Sequence, residues 1–171
     1  MSEQGTRLAI SVKYQCTDKE MGDNLVIYKL PLKVTSTYSG ASPIVRRFSY
    51  GEPNQQIGRR KTKTILVMGA TGSGKTTWIN AMINYVLRVE FEDDFRFKLV
   101  DEQVVGESQA HSQTQGVTAY DIFYQNGSRI PFTLTIVDTP GFGDTQGLKR
   151  DKEITSAVQH LFEHKNGIKV Y

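Results

Sequence analysis

The sequence predicts an α/β fold, one strand-and-helix domain preceded by a small β-rich segment, and three observations carry that prediction. A short apolar run, Thr64-Ile65-Leu66-Val67-Met68, leads into a glycine-rich stretch and then into a helical pattern from Gly74 to about Leu87. Two further apolar runs, Val117 to Gln125 and Ile130 to Val137, flank Asn126-Gly127-Ser128, and an Asn-Gly between alternating runs is the strongest short-range hairpin signal. Charge also divides the chain. Residues 1–63 hold eleven Lys/Arg against five Asp/Glu, while residues 64–171 hold ten against thirteen, which sets a boundary near residue 60. The expected organisation is a β-rich segment over 1–37, a linker over 38–62 and the α/β domain over 63–171.

Taken in order, Arg7 to Tyr14 places Leu8, Ile10, Val12 and Tyr14 on one side, the period of a half-buried strand. Leu25 to Val34 is a second apolar run, which Pro31 demotes to an edge strand or breaks. From Tyr38 to Lys63 the residues are mostly Ser, Gly, Pro, Asn and Gln, with basic pairs Arg46-Arg47 and Arg59-Arg60-Lys61. A solvated linker is the simpler reading of that cluster; the sharper one is a weak contact of Arg59, Arg60 and Lys61 with an acidic membrane surface. After the glycine-rich stretch, apolar residues from Trp78 to Leu87 lie nearly all round a helix, as in one buried against a sheet.

Phe95 to Val100 alternates and predicts a short strand, and the preceding Glu92-Asp93-Asp94 reads as solvated loop charge. Asp101 to Gly116 is polar and reads as a mobile loop. Asp151 to His164 reads as an amphipathic helix through Ile154, Val158, Leu161 and Phe162, ended by Asn166-Gly167. His160 and His164 have the spacing of a metal pair but lack a third ligand, so they read as helix-surface histidines.

The chemistry lies at Gly69-Ala70-Thr71-Gly72-Ser73-Gly74-Lys75-Thr76, which fills G-x-x-x-x-G-K-[ST] at every fixed position. Successive backbone N–H groups can wrap a triphosphate only if the loop takes conformations a side chain forbids, hence the glycines. Lys75 is placed to reach the β- and γ-phosphates and the Thr76 hydroxyl to ligate Mg²⁺, while the following helix turns its partly positive N-terminus to the phosphates. Gly69 to Thr77 is the expected nucleotide-contacting set, with Lys75 the catalytic cation. A second motif, Asp138-Thr139-Pro140-Gly141, closes the second hairpin strand. An aspartate there can hold the Mg²⁺ shell, and the Gly141 N–H can meet a γ-phosphate.

One cysteine, Cys16, excludes an internal disulfide. No apolar run approaches the ~20 residues of a membrane span, and the polar start is not a signal peptide. A cytoplasmic placement is expected, with no nucleic-acid partner.

With these two motifs the chain resembles the translation-factor-like class of P-loop GTPases. Within it, Val137-Asp138-Thr139-Pro140-Gly141-Phe142-Gly143-Asp144 is similar to the third motif of septins and of the immune-associated, avirulence-induced-gene (GIMAP-like) GTPases. The resemblance covers roughly Lys63 to Tyr171. It implies a three-layer α/β/α P-loop sandwich, GTP or GDP with Mg²⁺ as ligands, and oligomers formed through the G domain. It also implies a threonine ahead of the hairpin that completes Mg²⁺ coordination and serves catalysis: Thr118, with Thr114 as second choice.

Two departures stand out. Phe142 occupies the place where Ras-like members carry a water-orienting glutamine, so hydrolysis should be slow or borrow groups from a partner or second copy. No [NT]-K-x-D base-reading motif occurs, and Ile168 to Tyr171 resembles the start of a further strand, so residues 63–171 are expected to be the N-terminal part of such a G domain. Three functions follow: a Mg²⁺-dependent GTP-binding switch with slow hydrolysis, an interaction module with a structural nucleotide site, or an ATP-dependent P-loop enzyme. Asp-Thr-Pro-Gly disfavours the last.

Overall fold

The computed structural model describes residues 6–22, 24–38, 45–53, 61–100, 116–142 and 147–163. Helix α1 (Leu8–Gln15) is followed by strands β1 (Lys19–Met21), β2 (Val26–Lys29), β3 (Lys33–Tyr38), β4 (Val45–Tyr50) and β5 (Thr62–Val67). Helix α2 (Lys75–Val86), β6 (Phe95–Lys98), β7 (Val117–Ile122), β8 (Thr133–Asp138) and helix α3 (Gly147–Glu163) complete the order. The larger sheet runs β3-β4-β7-β8-β5 and the smaller β1-β2-β6. In the larger sheet β5 and β8 are parallel, β7 is antiparallel to β8, and β4 runs parallel to β7. Arg59, Arg60, Thr114, His164, most of the loop expected at Asp101 to Gly116, and Ile168 to Tyr171 lie outside the described residues.

The first strand expected from the sequence is a helix. Eight residues cannot separate the two periods by themselves, and Ala9 decides the matter: Ala9 and Val12, three apart, are both fully buried, while Tyr14 is 83% exposed. Ion pairs from Arg7 to Asp93 (2.6 Å) and from Lys13 to Asp94 (3.4 Å) fasten this helix, so two of the three acidic residues ahead of β6 hold structure in place. Val45–Tyr50, expected to fall in a linker, is an inner strand of the large sheet. Its basic pair masked an alternation in which Arg46 and Arg47 take opposite faces. Pro31 does break the run from Leu25 to Val34: β2 joins the small sheet and β3 the large one.

Helix α2 is one-sided rather than buried all round. Ile79, Ile83 and Val86 face the core, whereas Trp78 and Tyr85 are 42% and 53% exposed. Two asparagines one turn apart, Asn80 and Asn84, grip the adjoining edge of β6. Asn84 accepts from the Phe97 N–H and donates to the Phe97 carbonyl (both 2.8 Å), and the Asn80 side-chain oxygen accepts from the Leu99 and Val100 N–H groups (2.8 and 3.0 Å). These side chains replace a neighbouring strand.

Residues alternate along the large sheet between two cores. Tyr120, Ile122, Leu134 and Ile136 pack with Ile79 and Ile83 of α2 and with Ala9 and Val12 of α1. Val45, Val117, Ala119 and Val137 pack with Ile154, Ala157 and Leu161 of α3, the amphipathic helix expected over Asp151 to His164, which begins a turn earlier at Gly147. Among the latter set's neighbours on the sheet, the Arg47 Nε donates to Asp121 Oδ2 (2.6 Å) and the Thr135 hydroxyl to Asp121 Oδ1 (2.7 Å).

Asp121 is 7% exposed, so Asp121→Ala would take from the half-buried Arg47 guanidinium the buried carboxylate it donates to. A loss of about 2–3 kcal/mol is expected by urea unfolding, below the range for a fully buried pair because Arg47 keeps some solvent. The hydrogen-bonded Arg7 guanidinium holds Asp93 below the usual carboxylate value. A lowered folded value means the pair stabilises above the unfolded pKa of about 3.9 and that this fades as pH falls below it. The stability difference between wild type and Arg7→Ala, about 1 kcal/mol for a pair whose arginine is largely in solvent, should therefore shrink when pH drops from neutral to about 3.

Candidate phosphate-binding site

The parallel pairing of β5 with β8 sets Val67, the last residue of the first strand, directly beside Asp138, the last residue of the second. Both motifs thus leave the sheet from the same end. Three contacts then clasp the two loops. The Thr139 hydroxyl, fully buried, donates to the Val67 carbonyl (2.9 Å). The Phe142 N–H donates to the Gly69 carbonyl (3.1 Å), and Ala70 and Phe142 form an isolated parallel bridge. Gly141 lies so close to Thr71 that a β-carbon there would fall 2.1 Å from Thr71 Oγ1 and 2.6 Å from its nitrogen.

The loop closes on itself through Ser73 N–H to the Ala70 carbonyl (3.2 Å), and Gly72 and Gly74 take φ of +74° and +84°, which L side chains adopt at a cost. Gly74 caps α2, and Lys75 is the first helical residue. The Lys75 ammonium donates to the Gly69 and Ala70 carbonyls (3.1 and 2.9 Å), which centres a cation in the loop. Ala70 to Gly74 and Thr77 are exposed, and Lys75 and Thr76 are half-buried at the start of the helix. Asp138 is 1% exposed and both its carboxylate oxygens are buried. Gly141 is likewise buried.

Thr118, the threonine expected from the resemblance to complete Mg²⁺ coordination, sits inside β7 at 9% exposure, and its register partner is Asp138. Its side chain shares a face of β7 with that of Tyr120. Burial chiefly, and then the Asp138 carboxylate, push the Tyr120 hydroxyl up, with Arg46 and Thr118 acting the other way. Phe142 is half-buried against the α3 cluster, so the residue in the glutamine's place is held by packing as well as by its main chain. Sequence reasoning missed Thr139, since its bond to Val67 spans two strands far apart in the chain. Among the described residues no cluster of three or more His, Cys, Asp and Glu is placed for a metal, and no helix is long and apolar enough to cross a membrane.

A glycine-rich loop between a core strand and a helix, clasped by an Asp-x-x-Gly loop from the parallel strand beside it, defines a P-loop protein. Residues 59–165, well over half of the chain, match the family model described as Septin, and the chain belongs to the septin family. It is similar to Protein peanut of Drosophila melanogaster, 36% identical over 97 residues that cover 54% of this chain and 16% of that protein. Septin-4 of Homo sapiens is 34% identical over 98 residues, 54% of this chain and 18% of that protein. Septin homolog spn6 of Schizosaccharomyces pombe is 32% identical over 81 residues, 47% of this chain and 18% of that protein. The stretches matched thus span less than a fifth of these relatives' length. No solved structure matches the chain.

Gly141→Ala should force the two loops apart, because its new carbon meets main-chain atoms of Thr71 that cannot swing aside. The expected cost is about 1–3 kcal/mol by denaturant unfolding, with faster hydrogen exchange at the Phe142 amide that now bonds Gly69.

Proposed function

We propose that this chain binds a guanine nucleotide with Mg²⁺ and acts through the nucleotide-dependent state of its loops, with slow hydrolysis at most. The observation that carries the reading is the clasp itself: the loop that would wrap the phosphates and the loop that would report on the terminal one share main-chain contacts at Gly69, Ala70 and Phe142. Loop amides from Ala70 to Thr77 would cradle the phosphates, and Lys75 would exchange its two carbonyl partners for phosphate oxygens. Thr76 and Asp138 offer the hard oxygen donors that suit Mg²⁺, and Thr118, opposite Asp138, is the third such residue. When bound, the ion neutralises the β- and γ-phosphates. The membership in the septin family supports guanine over adenine and supports homo-oligomers through this domain, and a cytoplasmic site of action goes with both.

Phe142 favours a second reading, an interaction module in which the nucleotide is structural. Its side chain has no group to orient water and is packed against α3. Turnover separates the two: hydrolysis that vanishes in Lys75→Ala supports the switch, and tight binding without turnover supports the module.

Titration of fluorescent GTP and ATP against the chain in Mg²⁺ should show preference for GTP. Lys75→Ala should weaken binding by roughly 100-fold, the loss of charge-assisted contacts to phosphate. Equal or tighter ATP binding removes the guanine reading.

A further inference from the structure

The adjacent arginines of β4 serve different ends. Arg47 pairs with Asp121 on the face toward α3. Arg46 belongs to the opposite face, where the register aligns Thr37, Arg46, Thr118, Asp138 and Val67 in one row across all five strands. Cross-strand partners share a face. That row lies at the end of the sheet from which both phosphate-side loops depart. One row further in, the same face is apolar: Phe48, Tyr120, Ile136 and Ile65, with the Phe48 and Tyr120 rings stacked at 5.9 Å. Polarity therefore changes at the level of the loop.

Arg46 is exposed, and among the described residues no ion pair or side-chain hydrogen bond engages it. Tyr120 lies on the same face of β7, where the charges of Asp138 and Arg46 act on its hydroxyl in opposite directions. Two strand spacings, about 10 Å, separate the Arg46 and Asp138 main chains, a gap that an extended arginine side chain is long enough to span in large part.

We propose that Arg46 contacts the terminal phosphate of a nucleoside triphosphate held by the loop Gly69 to Thr76. This rests on the nucleotide binding proposed above. The cation comes from the same chain but from a strand outside the matched stretch 59–165. Arginine suits the task because its planar fork matches two phosphate oxygens at once, and its charge would stabilise a site where Phe142 supplies none. Such a contact selects triphosphate over diphosphate, since only the outermost phosphate extends from the loop toward β7 and β4.

The test measures binding of a non-hydrolysable fluorescent GTP analogue and of fluorescent GDP, with Mg²⁺, to wild type, Arg46→Ala, Arg46→Lys and Lys75→Ala. Arg46→Ala should weaken the triphosphate analogue about 10-fold and leave GDP within about twofold, with partial recovery in Arg46→Lys. Circular dichroism and thermal midpoints matched to wild type establish that the variants fold; should Arg46→Ala not fold, Arg46→Gln takes its place. Equal losses for both nucleotides overturn the proposal. So does an unchanged Arg46→Ala beside a Lys75→Ala that binds neither, in which case the nucleotide reading stands alone. Failure of wild type to bind either nucleotide removes both readings.

Discussion

The parallel contact between β5 and β8 is the constraint on which the rest of this structure depends. It brings Val67 and Asp138 to the same level, and every feature of the site follows from two loops leaving the sheet side by side. Thr139 secures the strand ends, Phe142 extends the pairing into the loops, and Gly141 leaves the space that such closeness requires. A polyphosphate site needs many donors held at one place before the ligand arrives. Here the clasp holds the glycine-rich loop, so its shape depends on β8 as much as on its own glycines.

The N-terminal strands are part of the same frame. β4 extends the sheet beyond β7 and carries the Arg47 guanidinium into a half-buried pair with Asp121, while Thr135 of β8 bonds the same carboxylate. Three strands are thereby tied through one buried group, on the face opposite the row that meets the phosphate loop. A pair of this kind contributes little net stability but penalises any other register, because a slip would leave a charge without its partner. Fixing the register of β7 against β8 fixes Thr118 against Asp138.

The candidate site stands out in the sequence where chemistry imposes residue types at short spacing, at the loop from Gly69 to Thr76 and the Asp138 to Gly141 turn, and the structure brings these two stretches together. Helix α2 and the strands β6 to β8 were legible from period and turn signals, although the β7 to β8 ladder ends at Ile122 and Leu134, well short of the Asn126-Gly127 turn. What could not be read depends on tertiary contact. Arg7 to Tyr14 alternates like a strand, yet burial of Ala9 and Val12 together favours the helix. Arg46 and Arg47 resemble linker charge until β7 supplies them with two different faces. Thr118 falls at the start of the run from Val117 that the sequence marks as a hairpin strand, but only the ladder shows that it stands opposite Asp138.

Asn80 and Asn84 have a consequence for how this molecule can grow. Side-chain amides already occupy the β6 amides and carbonyls that face away from β2, so no visiting strand can add to the small sheet on that side. The outer side of β5 has no such guard among the described residues, and Leu66 and Met68 there stand 36% and 54% open to solvent. The asparagines thereby close one sheet edge to strand addition, whereas the flank that bears the glycine-rich loop, like the outer edges of β1 and β3, carries no such amide pair among the described residues.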